Sequence, residues 1–388
     1  MHLTLPALLA AALTTLPALA QEPPAPQPRS GLRAQTPVPP FPYTVEERTV
    51  EGQGARLACT LTRPMDAAAA PGAVLLTVAG PNDRDQTHSG HKPFLVLADH
   101  LTRQGMATLR CDDRGVGGSS GSLTDSSLED LALDARAMVA ALAREPGVGA
   151  VGVIGNSEGS VVGALAAAAA PEAVSFVVLL GGVGVEGAAV IGARLESQAR
   201  QAGVPADVVG PALARFDSLV AIVREVGGVG IEALRRERPE LLARLSAMAQ
   251  EAGRGDPFLP QDPAARTALF AGPWYHDQVT LDGGAVLERV RVPVLALTGS
   301  RDRTNLPAQN LPAIAAALER GGNPDFQVTE LSGLNHVFQT ARVGGMAEYA
   351  TLEETFSPRA LRAISRWIGD RFGGAGGRAA GRSPGVDR

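Results

Sequence analysis

Between about residues 43 and 372, short continuous apolar runs alternate with longer stretches of helical spacing. The runs "GAVLLTVAG", "VGAVGVIG", "SFVVLLGG" and "VRVPVLALTGS" carry apolar side chains at successive positions, as strands buried on both faces do. "TVEERTVEGQGARLACTLTRP" is rich in Thr and Val around a Gly turn and predicts two strands; "MATLRCDDRG" and "DFQVTEL" predict two more. The helical segments are punctuated as helices should be. "KPFLVLADHLTRQG" closes on a Gly C-cap. "SSLEDLALDARAMVAALARE" has a Ser before acidic first-turn residues and a basic residue in its last turn, which complements the helix dipole. "SEGSVVGALAAAAA", "PAQNLPAIAAALER" and "SPRALRAISRWIGDRF" complete the order. Strand–helix alternation of this kind predicts an α/β class: a mostly parallel central sheet with helices on both faces. From about 185 to 290 the pattern changes to almost continuous helix rich in Ala, Leu and Arg. It lies between two core strands and predicts a helical lid insertion, in a place where loops line the ligand crevice.

The two ends read differently. "MHLTLPALLAAALTTLPALA" is apolar and ends in Ala18-Leu19-Ala20, which predicts a signal peptide over 1–20, with no Lys or Arg in its n-region. Its two prolines and the lack of a following basic cluster argue against a membrane anchor. The absence of a cysteine after Ala20 argues against a lipoprotein. Residues 21–42 are proline-rich and predict an extended, unpacked linker; 373–388 predict a disordered tail. No later segment is apolar for long enough to span a bilayer, so an exported protein, periplasmic or secreted, is expected. Net charge is −5 and Lys92 is the only lysine, so no basic track for nucleic acid exists. Two cysteines, Cys59 and Cys111, permit one disulfide.

Glycine-rich turns raise the question of dinucleotide binding. The G-x-G-x-x-G match at Gly147-Gly149-Gly152 precedes a strand instead of following one. The match at Gly182-Gly184-Gly187 is not followed by a second strand with a ribose-binding acid. No P-loop is present. The segment "VGVIGNSEGS" is different: a buried strand, then Gly155-x-Ser157-x-Gly159, then a helix. That is the setting of a nucleophile elbow, where two glycines relieve a tight turn that presents a serine hydroxyl. The N–H of Glu158, at the helix start, is placed to help hold an oxyanion. The base is expected at His336, in "LSGLNHVFQ" after the last strand, and the acid at Asp302, in "VPVLALTGSRDRTN", because the order Ser…Asp…His suits this arrangement. His100 suits a helix surface, and His276 lies in the insertion. His88 and His91 share a polar loop, but no carboxylate or cysteine partner has zinc spacing, and no metal or other cofactor is expected. Ser–Lys chemistry would require Lys92, in the loop after the third strand. In the insertion, "LFAGPWYHDQ" concentrates Phe270, Trp274 and Tyr275. Trp274 and Tyr275 suit either the wall of an acyl or leaving-group pocket or simple core packing.

These residues resemble the α/β-hydrolase superfamily, and within it the bacterial exported serine hydrolases of the serine aminopeptidase-like (S33-type) esterase group. The resemblance runs across nearly all of 43–372 and rests on five motifs in order: "VAGPNDRD" (78–85), "DDRGVGGS" (112–119), the S-E-G elbow, the strand at 293–302 and the G-x-N-H at 333–336. It implies the α/β-hydrolase fold and a Ser157–His336–Asp302 triad that works through an acyl-enzyme. It also implies a second oxyanion donor at the backbone N–H near Ala79, although Val78-Ala79 stands where the family usually has Gly-Ser. Asp83, Arg84, Asp85, Asp112 and Arg114 are expected to form a structural ion-pair cluster. In that fold the second and fourth strands are neighbours, which implies a Cys59–Cys111 disulfide. The implied activity is hydrolysis of carboxylic esters with small to medium acyl groups. One alternative is an aminopeptidase or amide hydrolase on short peptides, with lid carboxylates among Glu196, Glu225 or Glu240 meeting a substrate ammonium. Another is a non-catalytic exported binding module.

Overall fold

The computed structural model of the protein describes residues 33–65, 68–252, 259–373 and 386–387. The expected signal peptide, residues 21–32 of the linker, and most of the tail lie outside the described residues. The strands are β1 (Tyr43–Glu51), β2 (Arg56–Pro64), β3 (Ala70–Leu76), β4 (Ala107–Cys111), β5 (Val148–Asn156), β6 (Val177–Leu180), β7 (Val294–Gly299) and β8 (Phe326–Leu331), with a two-residue β9 at Val386–Asp387. They form one sheet in the order β1-β2-β4-β3-β5-β6-β7-β8-β9. β1 and β2 are antiparallel, as are β2 and β4, and every later pairing is parallel.

Burial follows position in the sheet. Every residue of β6 and β7 is buried, as their apolar runs require, and so is every residue of β4, where Thr108 and Arg110 are buried polar positions. β1 lies at the edge and alternates between more and less covered positions, as one-sided strands do. Alternation also sorts the interior strands. Ile154, Val178, Leu180, Leu295 and Leu297 face a core with Phe94, Leu97 and Leu101 of helix Pro93–Arg103 and with Ile364, Trp367 and Ile368 of helix Pro358–Phe372. Val153, one residue from Ile154, faces helix Glu158–Ala169. A Cβ at Gly163 of that helix would lie 2.9 Å from Val153 Cγ1, so glycine lets helix and sheet approach closely. β3 lies between β4 and β5, so the chain reverses its direction of travel across the sheet there. Ligands of open α/β sheets bind beyond the strand C-termini at such a reversal.

The chain divides into two compact units. The larger holds the sheet; the smaller consists of Thr124–Leu128 and Glu186–Leu281. The insertion thus ends nearer 281 than 290, since Asp282 caps helix Gly283–Leu287 of the larger unit through the N–H of Gly284 at 2.9 Å. Thr124–Leu128 joins the insertion against sequence expectation, and the Leu128 N–H donates to Asp277 Oδ2 at 2.9 Å. The smaller unit has its own apolar core of Leu219, Val223, Leu234, Leu245, Phe270, Tyr275 and Val279, among others.

The expected linker is not unpacked throughout. Arg33 donates to the carbonyls of Ala350 and Leu352 at 2.9 and 3.0 Å. Gln35 donates to Phe356 O at 2.8 Å and accepts from the N–H groups of Thr355 and Phe356. Thr355 and Phe356 are buried, so their main chain needs partners, and Gln35 supplies them.

Cys59 and Cys111 face each other in the β2–β4 register and form a disulfide, with Cα atoms 3.9 Å apart and a sequence separation of 52. Closing a loop of that length is worth about 4 kcal/mol in chain entropy. The Cys59→Ser/Cys111→Ser variant is expected to unfold with a free energy lower by up to about 4 kcal/mol. Urea unfolding of both proteins, each fitted with its own m-value because the chain without the cross-link unfolds to a more open state, checks it. Equal extrapolated free energies would show that the bond adds nothing to stability.

Candidate active site

Three strand ends and their loops build the site. β5 ends at Asn156, and Ser157 follows with φ 54° and ψ −112°, after which helix Glu158–Ala169 begins. A side chain at positive φ is strained by about 1–2 kcal/mol. The local sequence holds it there. A Cβ at Gly155 would lie 2.0 Å from Gly159 O, and one at Gly159 would lie 2.3 Å from Leu76 O. Only glycine fits at either place. The Ser157 N–H donates to Leu180 O at 2.8 Å, and the Gly159 N–H donates to Thr77 O at 3.0 Å. The elbow is thereby tied to the ends of both β6 and β3.

The base and acid come from the other side. Asp302 follows β7 and is 1% exposed; His336 follows β8 and is 6% exposed. His336 Nδ1 donates to Asp302 Oδ2 at 2.8 Å, which leaves Nε2 as the imidazole's lone-pair nitrogen. Asp302 Oδ1 accepts from the N–H groups of Thr304 and Asn305, each at 2.8 Å. Both oxygens of the carboxylate are therefore engaged in fixed directions. The histidine loop is pinned to β7: the Arg301 N–H donates to Leu334 O, and Gly299 has no room for a Cβ beside that carbonyl. Asn335 accepts from the N–H groups of Val337 and Gln339, closing the turn that carries His336.

The two halves meet at Gly181. A Cβ there would lie 3.1 Å from His336 Cε1 and 3.2 Å from Asp302 Oδ2. Leu180, the residue before it, accepts the Ser157 N–H. Asn305 Nδ2 spans the corner, donating to Gly181 O at 2.6 Å and to Ser157 Oγ at 3.3 Å. Ser157, Asp302 and His336, far apart in sequence, thus converge on one backbone corner.

The loop after β3 carries Ala79, the residue expected to supply the second oxyanion donor. The Val78 N–H is directed to Gln86 Oε1 at 3.1 Å, so it is engaged within the protein. Ala79, next in the chain, is exposed, and no hydrogen-bond acceptor meets its N–H among the described residues. The loop is shaped by Asn82, whose Nδ2 donates to Val78 O and Gly80 O, and by Asp113, which accepts from the Asn82 N–H and the Thr77 hydroxyl at 2.9 Å. The expected ion-pair cluster is present. Arg84 pairs with Asp112, Arg110 with Asp85, and Arg114 with Asp134. Burial works to raise the Asp112 carboxyl, but Arg84 and the backbone donors around it hold it below the usual range. Asp83 instead closes a turn, accepting from the N–H groups of Asp85 and Thr87. His91 is spent on structure between Thr355 Oγ1 and Tyr349 O, and His88 Nδ1 donates to Gln86 O. Burial lowers the His88 pKa, and the nearby His336 lowers it further.

Residues 87–340, well over half of the chain, match the family described as serine aminopeptidase, S33. The chain belongs to that family. It has the α/β-hydrolase fold. Among curated proteins, none matches the sequence. An esterase of Pyrococcus furiosus is similar in structure at 15% identity and a TM-score of 0.49, over 86% of this chain and 92% of that one. Est1E from Butyrivibrio proteoclasticus, with ferulic acid bound, is similar at 15% identity and TM-score 0.46, over 83% and 96%. A monoacylglycerol lipase of Paleococcus ferrophilus is similar at 18% identity and TM-score 0.46, over 80% and 98%.

In this S33-family chain, the aromatics singled out in the insertion lie in the smaller unit. Tyr275 is 8% exposed and packs on Phe270, 4.6 Å between ring centroids, inside that unit's own core, with Trp274 against it. Core packing accounts for the burial of Tyr275, while Trp274 is half-buried. A cavity of about 50 Å³ lies beside the elbow, lined by Thr77, Asp113, Glu158 and Gly159 among others. Two residues that sequence reasoning missed are Asn305 and Asp113. Asn305 lies three positions past Asp302, and Asp113 directly beside the noted Asp112. Their placement in those segments was the available signal.

Asp113 retains some exposed surface, yet burial of its carboxyl pushes it up to about 7, against the lowering effect of its Asn82 and Thr77 hydrogen bonds. The unfolded chain ionises near pH 3.8, so between these values the folded state holds an extra proton. Stability from this group is present at low pH and is lost as pH rises through 7. In Asp113→Asn the amide oxygen accepts the Asn82 N–H and the amide nitrogen donates to the Thr77 oxygen, as the protonated acid does. Wild-type Tm is expected to fall more between pH 5.5 and 8.5 than that of Asp113→Asn. Parallel slopes in scanning calorimetry would assign the carboxylate no such cost.

Proposed function

We propose that this protein is an exported serine hydrolase that cleaves carboxylic esters of small to medium acyl groups. The observation that carries the reading is Ser157, held at positive φ over the corner where Asp302 fixes His336. His336 Nε2 takes the Ser157 proton as Oγ attacks the ester carbonyl. The N–H groups of Glu158 and Ala79 receive the oxyanion. The carbon–oxygen bond to the alcohol then breaks, and His336 returns its proton to the departing oxygen. Water repeats the sequence on the acyl-enzyme, and its second proton leaves with the released acid. Asp302 stabilises the imidazolium formed in each half.

The family's description invites an amine-recognising reading, and the insertion's acids bear on it. Glu196 pairs with Arg200, and Glu225 with both Arg238 and Arg244, whereas Glu240 is exposed and makes no ion pair among the described residues. The two paired carboxylates, already neutralised by guanidinium groups, are poor seats for a substrate ammonium, which supports esters over aminoacyl amides. Export is supported by the Cys59–Cys111 disulfide, which belongs in an oxidising compartment.

Ser157→Ala is expected to lose at least about a thousandfold in kcat/KM on p-nitrophenyl butyrate with an unchanged Tm. Turnover retained by that variant would remove Ser157 from the chemistry. Wild type is expected to prefer the ester over leucyl p-nitroanilide by orders of magnitude; the reverse preference would make it a peptidase. Intact mass of protein from the periplasmic fraction is expected to show cleavage after Ala20. An uncleaved chain confined to the cytoplasm would end the export reading.

A further inference from the structure

We propose that Asn305 is a further catalytic residue, a fixed hydrogen-bond donor to the Ser157 oxygen. The inference rests on the reading of Ser157 as the nucleophile. Asn305 is 3% exposed and bonded on three sides. Its own N–H donates to Asp302 Oδ1 at 2.8 Å. Its Nδ2 donates to Gly181 O at 2.6 Å and to Ser157 Oγ at 3.3 Å. The orientation of the carboxamide is dictated, because Gly181 O can only accept. Turning the amide over would set two oxygens against each other at that short distance. One hydrogen of the NH2 is therefore spent on the backbone corner, and the other is left for Ser157 Oγ.

A serine hydroxyl has one hydrogen and two lone pairs. A donor that occupies one lone pair cannot be met by the hydroxyl hydrogen, so that hydrogen is left for His336. The contact also gains strength as the reaction proceeds. At 3.3 Å it is long for the neutral hydroxyl. As the proton moves to His336, negative charge builds on Oγ, and a bond to a charged acceptor shortens and strengthens. In the acyl-enzyme Oγ is a weakly accepting ester oxygen, and the bond relaxes. When water expels Oγ, charge returns to it and the donor acts again. An interaction stronger in the transition states than in the ground states on either side accelerates both halves. The main-chain bond to Asp302 makes the same residue a strut between the acid and the nucleophile.

The test uses the full chain as wild type, Ser157→Ala, Asn305→Ala and the isosteric Asn305→Asp. The readouts are p-nitrophenyl butyrate kinetics across pH, the rate of labelling by a fluorophosphonate, and Tm. Asn305→Ala is expected to lose about tenfold to a hundredfold in both kcat/KM and labelling rate, with KM little changed. Asn305→Asp removes the donor and sets a carboxylate beside Ser157 and His336. Its activity is expected to rise with pH about one unit later than wild type, because added negative charge favours the imidazolium. A residue that only supports the loop would lower Tm in both variants and leave the labelling rate of the folded protein in place. Labelling of Asn305→Ala and Asn305→Asp at the wild-type rate, each read on the high-pH plateau of its own profile, would overturn the proposal. If Asn305→Ala does not fold, the plateau labelling rate of Asn305→Asp decides alone. Absence of labelling in wild type, or activity surviving in Ser157→Ala, would instead defeat the reading of Ser157 beneath it.

Discussion

The left-handed backbone at Ser157 is the constraint on which the rest of the site depends. A serine does not choose that conformation, and the fold must impose it. It does so by taking away space and by assigning bonds. Gly155 and Gly159 leave no room for any other residue, so the turn cannot relax outward. The amides at 157 and 159 are bonded to the ends of β6 and β3, so it cannot rotate either. The hydroxyl of Ser160 adds a third tie, donating to Ser157 O at 2.5 Å. The strain is small against the burial of a nine-stranded sheet, and it is spent where the chain needs a side chain in a direction no regular element provides.

Electrostatics around that corner are divided by role. Around Asp302, a carboxylate with 1% exposure is tolerated because three groups direct hydrogens at it: His336 and the N–H groups of Thr304 and Asn305. On the oxyanion side the charges stand one layer back. Arg84, Arg110 and Arg114 each take an acid, and the loop between Val78 and Gln86 is shaped by neutral bonds to Asn82 and Gln86. The arginines of that cluster are each held by a carboxylate, and with them the loops that carry those residues.

Much of this was legible in the sequence, and the reason is specific. A buried strand needs an uninterrupted apolar run, and an elbow needs glycines at fixed offsets, so β5 and Ser157 announce themselves together. Asp302 and His336 follow from chain order once Ser157 is placed. Cys59 and Cys111 needed the strand order, which the family resemblance supplied and the β2–β4 register bears out. Other features have no local signature. Asn305 is one of many loop asparagines, and only the fold brings it to a serine 148 positions away. Asp113 differs from Asp112 in environment alone. Tyr275 is aromatic in a protein poor in aromatics, which suits a pocket and a core equally, and its packing on Phe270 shows only in the fold.

The docking of Arg33 and Gln35 changes where the folded body begins. By pattern, the first element is β1 at Tyr43. Yet Gln35 is the acceptor for two buried amides ahead of helix Pro358–Phe372, and Arg33 holds the carbonyls just upstream of them. That helix closes one face of the main core. A chain trimmed to its first strand would keep every strand and lose the clasp on its last helix. The packed body of this fold therefore starts ahead of its first strand.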